Sequence, residues 1–102
     1  MAHIPGYNFY GDLPSSEGVI ASIGEGQRAY IRAFSLYNKS AGSETYTLKI
    51  NGRYWRSGTL AASESIELVG TEVMMLGESE GITGSTSNAS SVDYIVSMIL
   101  RV

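Results

Sequence analysis

The alternation that decides the fold class runs through the stretch Val92-Asp-Tyr-Ile-Val-Ser-Met-Ile-Leu-Arg-Val102. One face of an extended chain here carries large apolar side chains without exception, at Val92, Tyr94, Val96, Met98, Leu100 and Val102. The opposite face carries Ile95 and Ile99 among polar residues. A period of two over this length is typical of a β-strand. Because both faces hold apolar residues, we expect a central strand whose second face is open to a subunit contact.

Shorter β-rich runs precede this strand and are separated by glycine and small polar clusters. The sequence holds 12 glycines and only 2 prolines, and no segment sustains a helical period. The expected strands cover residues 18–23, 28–38, 64–69, 72–76 and 80–86. In the first, Val19, Ala21 and Ile23 should face inward, and in the second a bulge near Ala33 should switch the apolar face. The pattern predicts an all-β fold, an antiparallel β-sandwich (jelly-roll or immunoglobulin-like) of about seven to eight short strands.

The dipeptide Asn51-Gly52 predicts a β-hairpin, since a two-residue type I′ turn needs positive φ at both positions. The expected cross-strand pairs are Ile50 with Arg53, Lys49 with Tyr54, Leu48 with Trp55, Thr47 with Arg56 and Tyr46 with Ser57. Trp55 then shares a face with Leu48. We therefore expect it in the core rather than on a ligand platform.

Residues 1–16 lack a regular period and predict an extended N-terminal docking arm ahead of a sandwich domain at 17–102. Pro5, Gly6, Gly11 and Pro14 interrupt this segment. The side chains expected to dock on a partner are Ile4, Tyr7, Phe9, Tyr10 and Leu13. Exposed aromatic surface usually marks such a contact. The alternative is that the segment folds back and seals one edge of its own domain.

The charges are unevenly distributed along a chain whose 102 residues fit one domain. Six of its 7 basic residues lie between Arg28 and Arg56, and residues 57–100 hold six acidic residues and no base. If the two halves form different faces, copies could meet positive to negative. Alternatively, the opposite charges pair inside one molecule. The expected subunit interface comprises Arg32, Tyr54, Arg56, Met74, Ile95 and Ile99.

Groups that carry catalysis or bind metals are scarce. The sequence has no cysteine, and its one histidine is His3, within the expected arm. Glu78 and Glu80 lack the oxygen-rich loop pattern of a calcium site. The glycine-rich turns lack the lysine and helix of a phosphate site. We therefore expect that the protein is not an enzyme and that it binds no cofactor, metal ion, nucleic acid or membrane.

Several segments together resemble the small all-β virion structural proteins of tailed bacteriophages, the group of capsid decoration or cement proteins and neck or tail accessories. The segments are Phe34-Ser-Leu-Tyr-Asn38-Lys-Ser40, Thr47-Leu-Lys-Ile-Asn51-Gly52, Ala61-Ala-Ser63, Ile66-Glu-Leu68, Leu76-Gly77 and Ile82-Thr-Gly84-Ser-Thr86, followed by the alternating terminal strand. The sequence departs from the group where Gly77-Glu78-Ser79-Glu80 stands in place of its usual Gly-Asp. The resemblance lies in the overall pattern of these segments, and it includes no catalytic motif.

The resemblance implies a non-enzymatic virion protein that binds and stabilises a phage capsid as a decoration or cement protein. Its partners would be the major capsid protein or another virion protein and copies of itself, with a trimer favoured. It would be made in the host cytoplasm and located in the virion. The alternative function is a carbohydrate- or receptor-binding β-sandwich module of a phage tail or fibre. In that case Tyr30, Tyr54 and Trp55 would stack on sugar rings.

Overall fold

A computed structural model describes residues 6–68, 74–77 and 80–101 of the chain. Within these ranges the chain forms nine β-strands and no helix. The strands are β1 Gly6–Asp12, β2 Gly18–Ser22, β3 Arg28–Asn38, β4 Glu44–Ile50, β5 Arg53–Leu60, β6 Ser65–Glu67, β7 Met74–Leu76, β8 Gly81–Thr86 and β9 Val92–Arg101. The all-β class predicted from the alternation is confirmed.

The strands form two antiparallel sheets that pack as a sandwich. The first sheet has the order β1-β9-β3-β6, with β7 also paired to β3, and the second has the order β2-β8-β4-β5. The first strand thus pairs with the last, β2 with β8, β3 with both β6 and β7, and β4 with β5. This nested pairing, with β6 and β7 together serving as one strand, is that of a jelly roll.

Alternating apolar side chains from both sheets fill the space between them. The buried apolar residues are Leu13, Ile20, Ala21, Ile23, Ala29, Ile31, Phe34, Leu36, Tyr46, Leu48, Leu60, Leu68, Leu76, Ile82, Val92, Val96 and Met98. Burying such a side chain contributes about 1.5–3 kcal/mol, so this layer provides the main force that holds the sheets together.

The two long strands of the first sheet agree with the sequence-based expectation. β3 spans Arg28–Asn38, and its pairing with β9 shifts register between Ile31 and Ala33, where the bulge was expected. The extra residue lets Ile31 and Phe34 both point inward although they are three positions apart. β9 buries Val92, Val96 and Met98, as its alternation predicts.

Two predicted registers are wrong, and a bulge is the physical reason in each. The Asn51-Gly52 turn is confirmed, with φ of 51° and 79°, and Lys49 faces Tyr54 as expected. Beyond that pair a register shift places Leu48 opposite Arg56 instead of Trp55. Similarly, a shift in β2 buries Ile20 beside Ala21, and the expected core residue Val19 is exposed.

The structure corrects the predicted boundary at residue 16, because the described part of the expected arm belongs to the sandwich. Residues 6–12 form β1 and pair with β9 along their whole length. Leu13 has no exposed surface, and its amide donates a hydrogen bond to the carbonyl of Val92 at 2.8 Å. This segment seals a sheet edge of its own chain, as the alternative interpretation proposed. Residues 1–5, including Ile4, lie outside the described residues.

Candidate functional site

The outward face of the first sheet carries two large exposed apolar side chains side by side, and the 42% exposed Tyr37 lies on the same face opposite Asp93. Tyr10 on β1 and Ile95 on β9 lie directly opposite each other, and they are 76% and 54% exposed. Opposed residues of antiparallel strands present their side chains on the same face, so the two form one continuous apolar area. We call the outward residues of β1, β9, β3 and β6 the outer face of the first sheet.

Small side chains lie beside this apolar pair. Ser35 of β3 lies opposite Ile95 on the other flank of β9. The next row along the strands consists of Asn8, Ser97 and Ala33, which are paired to one another across the sheet. The outer face therefore has a raised row at Tyr10 and Ile95 and a lower row next to it.

One end of the outer face is acidic. Asp12 of β1 pairs with Asp93 of β9, and the Lys39 ammonium binds both carboxylates at 2.8 and 2.9 Å. The hydrogen bond to Asp12 and then that to Asp93 raise the pKa of Lys39, so this ammonium stays charged at neutral pH. Glu67 on β6 is also exposed, and because it lies opposite Ser35 it belongs to the row of Tyr10 and Ile95, next to this end.

The other end is basic. Arg28 and Arg32 of β3 are both exposed, and Arg32 occupies the extra position of the bulge. Outward positions on β3 alternate with the buried residues Ala29 and Ile31, so both guanidinium groups lie on the outer face. Among the described residues, no ion pair to either arginine is formed.

The structure divides the predicted subunit interface between two faces. Arg32, Ile95 and Ile99 lie on the outer face of the first sheet, and Met74 lies in β7 of that sheet. Tyr54 and Arg56 belong to β5 in the second sheet. Of the predicted docking residues, Tyr10 joins the first group, and Tyr7 lies on β1. Leu13 is buried and Phe9 packs against the core, so neither is available as a free docking side chain.

The three aromatic residues expected to stack on sugars do not form one platform. Trp55 packs against Phe34 with ring centroids 5.5 Å apart, and the Arg56 guanidinium covers it at 5.1 Å. Tyr54 is 74% exposed, but the Lys49 ammonium lies 5.3 Å from its ring. Tyr30 belongs to the other sheet. The expectation that Trp55 faces the core is confirmed in part, since it is half-buried against it.

A buried polar cluster at one end of the sandwich was missed by sequence reasoning. Asn38 is fully buried, and its amide donates to the carbonyls of Gly42, Leu60 and Ala61 at 2.8, 3.0 and 3.1 Å. Its inward position on β3, in step with Phe34 and Leu36, was the available signal. The contacts join loops to β5, so the cluster stabilises the fold.

The described residues hold no group of three or more His, Cys, Asp or Glu that could bind a metal ion. They also contain no helix long and apolar enough to cross a membrane. A shallow pocket of about 260 Å³ lies near the β4–β5 turn and is lined by Val19, Ser22, Asn51, Gly52, Glu80, Gly81 and Thr83. Of the two carboxylates considered above for a calcium site, Glu80 lines this pocket and Glu78 lies outside the described residues.

The fold is similar to that of a solved chain from Bacillus endospore appendages, a family of disulfide-linked pili. The superposition has a TM-score of 0.56 and covers 96% of this chain and 85% of the pilus chain, at 11% sequence identity. No protein-family model and no curated protein matches the sequence. At this identity the similarity establishes the β-sandwich fold.

Proposed function

We propose that this protein is a non-enzymatic structural subunit that assembles with copies of itself through the outer face of the first sheet. The observation that carries the proposal is that Tyr10 and Ile95 are exposed side by side on paired strands, whereas the exposed Val19 and Tyr54 lie on opposite edge strands of the second sheet. Covering such a pair on association contributes on the order of 1.5–3 kcal/mol for each side chain. Exposed apolar area of this kind is typical of a protein contact surface.

The fold similarity supports an assembling role, because the neighbouring structure is that of a pilus protein. That pilus is disulfide-linked, whereas this sequence contains no cysteine. Any assembly of this chain is therefore held by packing and charge without disulfides between its subunits. Such an assembly should dissociate on dilution, following mass action.

The finer prediction from the sequence, decoration of a phage capsid with a location in the virion, belongs to the same class of structural role. The reported neighbour is a pilus protein, so our proposal extends to self-assembly, and decoration of a capsid stays a prediction. A carbohydrate-binding role has less support, since Trp55 packs inward and Tyr30 lies on the other sheet.

The proposal is tested by measuring the mass of the purified chain by light scattering over a wide concentration range. We expect the mass to rise with concentration, and the double variant Tyr10→Ser, Ile95→Ser to weaken association by at least about tenfold. The control is Tyr54→Ser with Val19→Ser, which removes side chains of similar exposure, 74% and 69%, from the second sheet. A wild-type mass of one subunit throughout, or an equal loss in the control, would contradict the proposal.

A further inference from the structure

The outer face of the first sheet carries opposite net charge at its two ends. At one end, Arg28 and Arg32 contribute two positive charges. At the other, the carboxylates of Asp12 and Asp93 bind the single ammonium of Lys39, which leaves one negative charge. Glu67, in the row of Tyr10 and Ile95, adds a second uncompensated carboxylate closer to the middle of the face. Along β3, Arg28 lies about nine residues, or about 30 Å, from Tyr37, which faces Asp93. Arg32 and Glu67 lie closer to the middle, since Glu67 faces Ser35. Each copy thus presents a charge gradient along its strands.

The relief of the same face is complementary to itself. The raised row of Tyr10 and Ile95 lies next to the lower row of Asn8, Ser97 and Ala33. A second copy can be placed face to face with the first by a two-fold axis that runs perpendicular to the strands, between the two rows. Its raised row then meets the lower row of the first copy. A two-fold contact of this kind satisfies both copies at once.

We propose that two copies of the chain pack face to face through this surface with their strands antiparallel. The inference rests on the proposed function and specifies its contact. In this arrangement Arg28 of each copy lies towards the Asp12 and Asp93 end of the other, and Arg32 lies over the row of the other copy that contains Glu67. The other two-fold arrangement, with the axis along the strands, would place like charges over each other and is disfavoured. A two-fold contact joins copies in pairs, in place of the trimer favoured by the sequence.

The size of the face predicts a contact of moderate strength. The five strands of this sheet, from 3 to 11 residues long, hold 34 residues in all, and at about 3.3 Å per residue and about 4.8 Å between strands they present about 540 Å² on each copy. The pair would bury about 1,100 Å², near the lower limit of specific interfaces. We therefore expect a pair that forms and dissociates readily, with a strength that depends on salt because part of the attraction is between charges.

The test reverses one charge of each sign, at two positions that this arrangement brings together. Arg32→Glu and Glu67→Arg are made separately, and self-association is measured by analytical ultracentrifugation at low salt. In a pair of identical variants, like charges meet twice, so each variant should associate at least about tenfold more weakly than wild type. In an equimolar mixture, opposite charges meet at both contacts, and association should return to within about threefold of wild type.

Arg53→Glu provides the matched control, since Arg53 is exposed on β5 of the second sheet and should leave association unchanged. If both reversed variants associate as tightly as wild type, or if mixing restores nothing, the antiparallel pair is wrong. In those cases association of the wild type would leave the assembly proposal intact. A wild-type chain that stays single at every concentration would overturn both.

Discussion

At the residue scale, Glu44 shows how a nearly buried carboxylate is kept charged by neutral neighbours. Only 6% of the residue is exposed. Its carboxylate accepts hydrogen bonds from the Ser87 hydroxyl at 2.6 Å, the Asn88 amide at 2.9 Å and the Ser40 hydroxyl at 3.3 Å. These bonds, the one from Ser87 above all, hold the pKa of Glu44 below its ordinary value of 4.5. The residue thereby ties the loops after β3 and β8 together.

This contact predicts a specific dependence of stability on pH. Because the folded-state pKa is lowered, the stabilisation is fully present above about pH 4.5 and is lost as the pH falls through the folded-state value. We expect Glu44→Gln to lower the urea midpoint at neutral pH and to flatten the decline on the acid side. The measurement is urea unfolding of both proteins from about pH 7 to about pH 3. Curves that remain parallel over this range would contradict the assignment.

At the element scale, the β4–β5 turn depends on a glycine with positive φ. Gly52 has φ of 79°, where a side chain is strained whatever space surrounds it. We expect Gly52→Ala to destabilise the protein by about 1–2 kcal/mol in urea unfolding. The control is Gly42→Ala, because an added Cβ at Gly42 has nothing within 4 Å and its φ is not positive. Equal losses for both variants would mean that the turn conformation is not the cause.

The segment before β2 provides a second test at this scale. If residues 6–13 belong to the sandwich, Leu13→Ala removes a fully buried side chain and should cost about 2–5 kcal/mol of the free energy of unfolding. Val19→Ala, at a 69% exposed position, should change stability by less than about 0.5 kcal/mol. A Leu13→Ala protein as stable as wild type would instead support a free docking arm.

The elements that the sequence could predict are those whose signal is local. The strict alternation of β9 and the Asn51-Gly52 turn each depend on a few neighbouring residues, and both are confirmed. The turn sets the register only up to Lys49 and Tyr54, because the bulge after them reflects packing of Trp55 on Phe34 from another strand. Local pattern contains no information about such a contact.

In the candidate site, too, local features could be predicted from the sequence and long-range contacts could not. Ile95 could be predicted as an exposed apolar residue on a central strand. Tyr10 could be predicted as an aromatic residue of the N-terminal segment that has no apolar contact within that segment. What brings them together is the pairing of β1 with β9, between segments more than eighty positions apart. The same pairing places Asp12 beside Asp93. A long-range pairing of this kind depends on the whole sandwich and has no signature in either segment alone.

At the scale of the whole molecule, the two sheets present outer faces with different character. The first has the exposed apolar pair with opposite charges at its ends. In the second sheet the half-buried Lys49 is held by internal contacts, since its ammonium binds the Glu17 carboxylate at 2.8 Å and lies over the Tyr54 ring. The second sheet also exposes Val19 and Tyr54, but these lie on its two opposite edge strands, so the adjacent apolar pair of the first sheet suits the proposed role as a subunit better.

The most direct test compares two tyrosines by hydroxyl-radical footprinting at rising protein concentration. Tyr10 and Tyr54 start from nearly equal exposure in the single subunit, 76% and 74%, but lie on different sheets. We predict that modification of Tyr10 falls as the mass of the assembly rises, while modification of Tyr54 stays constant. If the protein assembles while Tyr10 remains as reactive as Tyr54, or while Tyr54 alone becomes protected, the outer face of the first sheet is not the assembly surface.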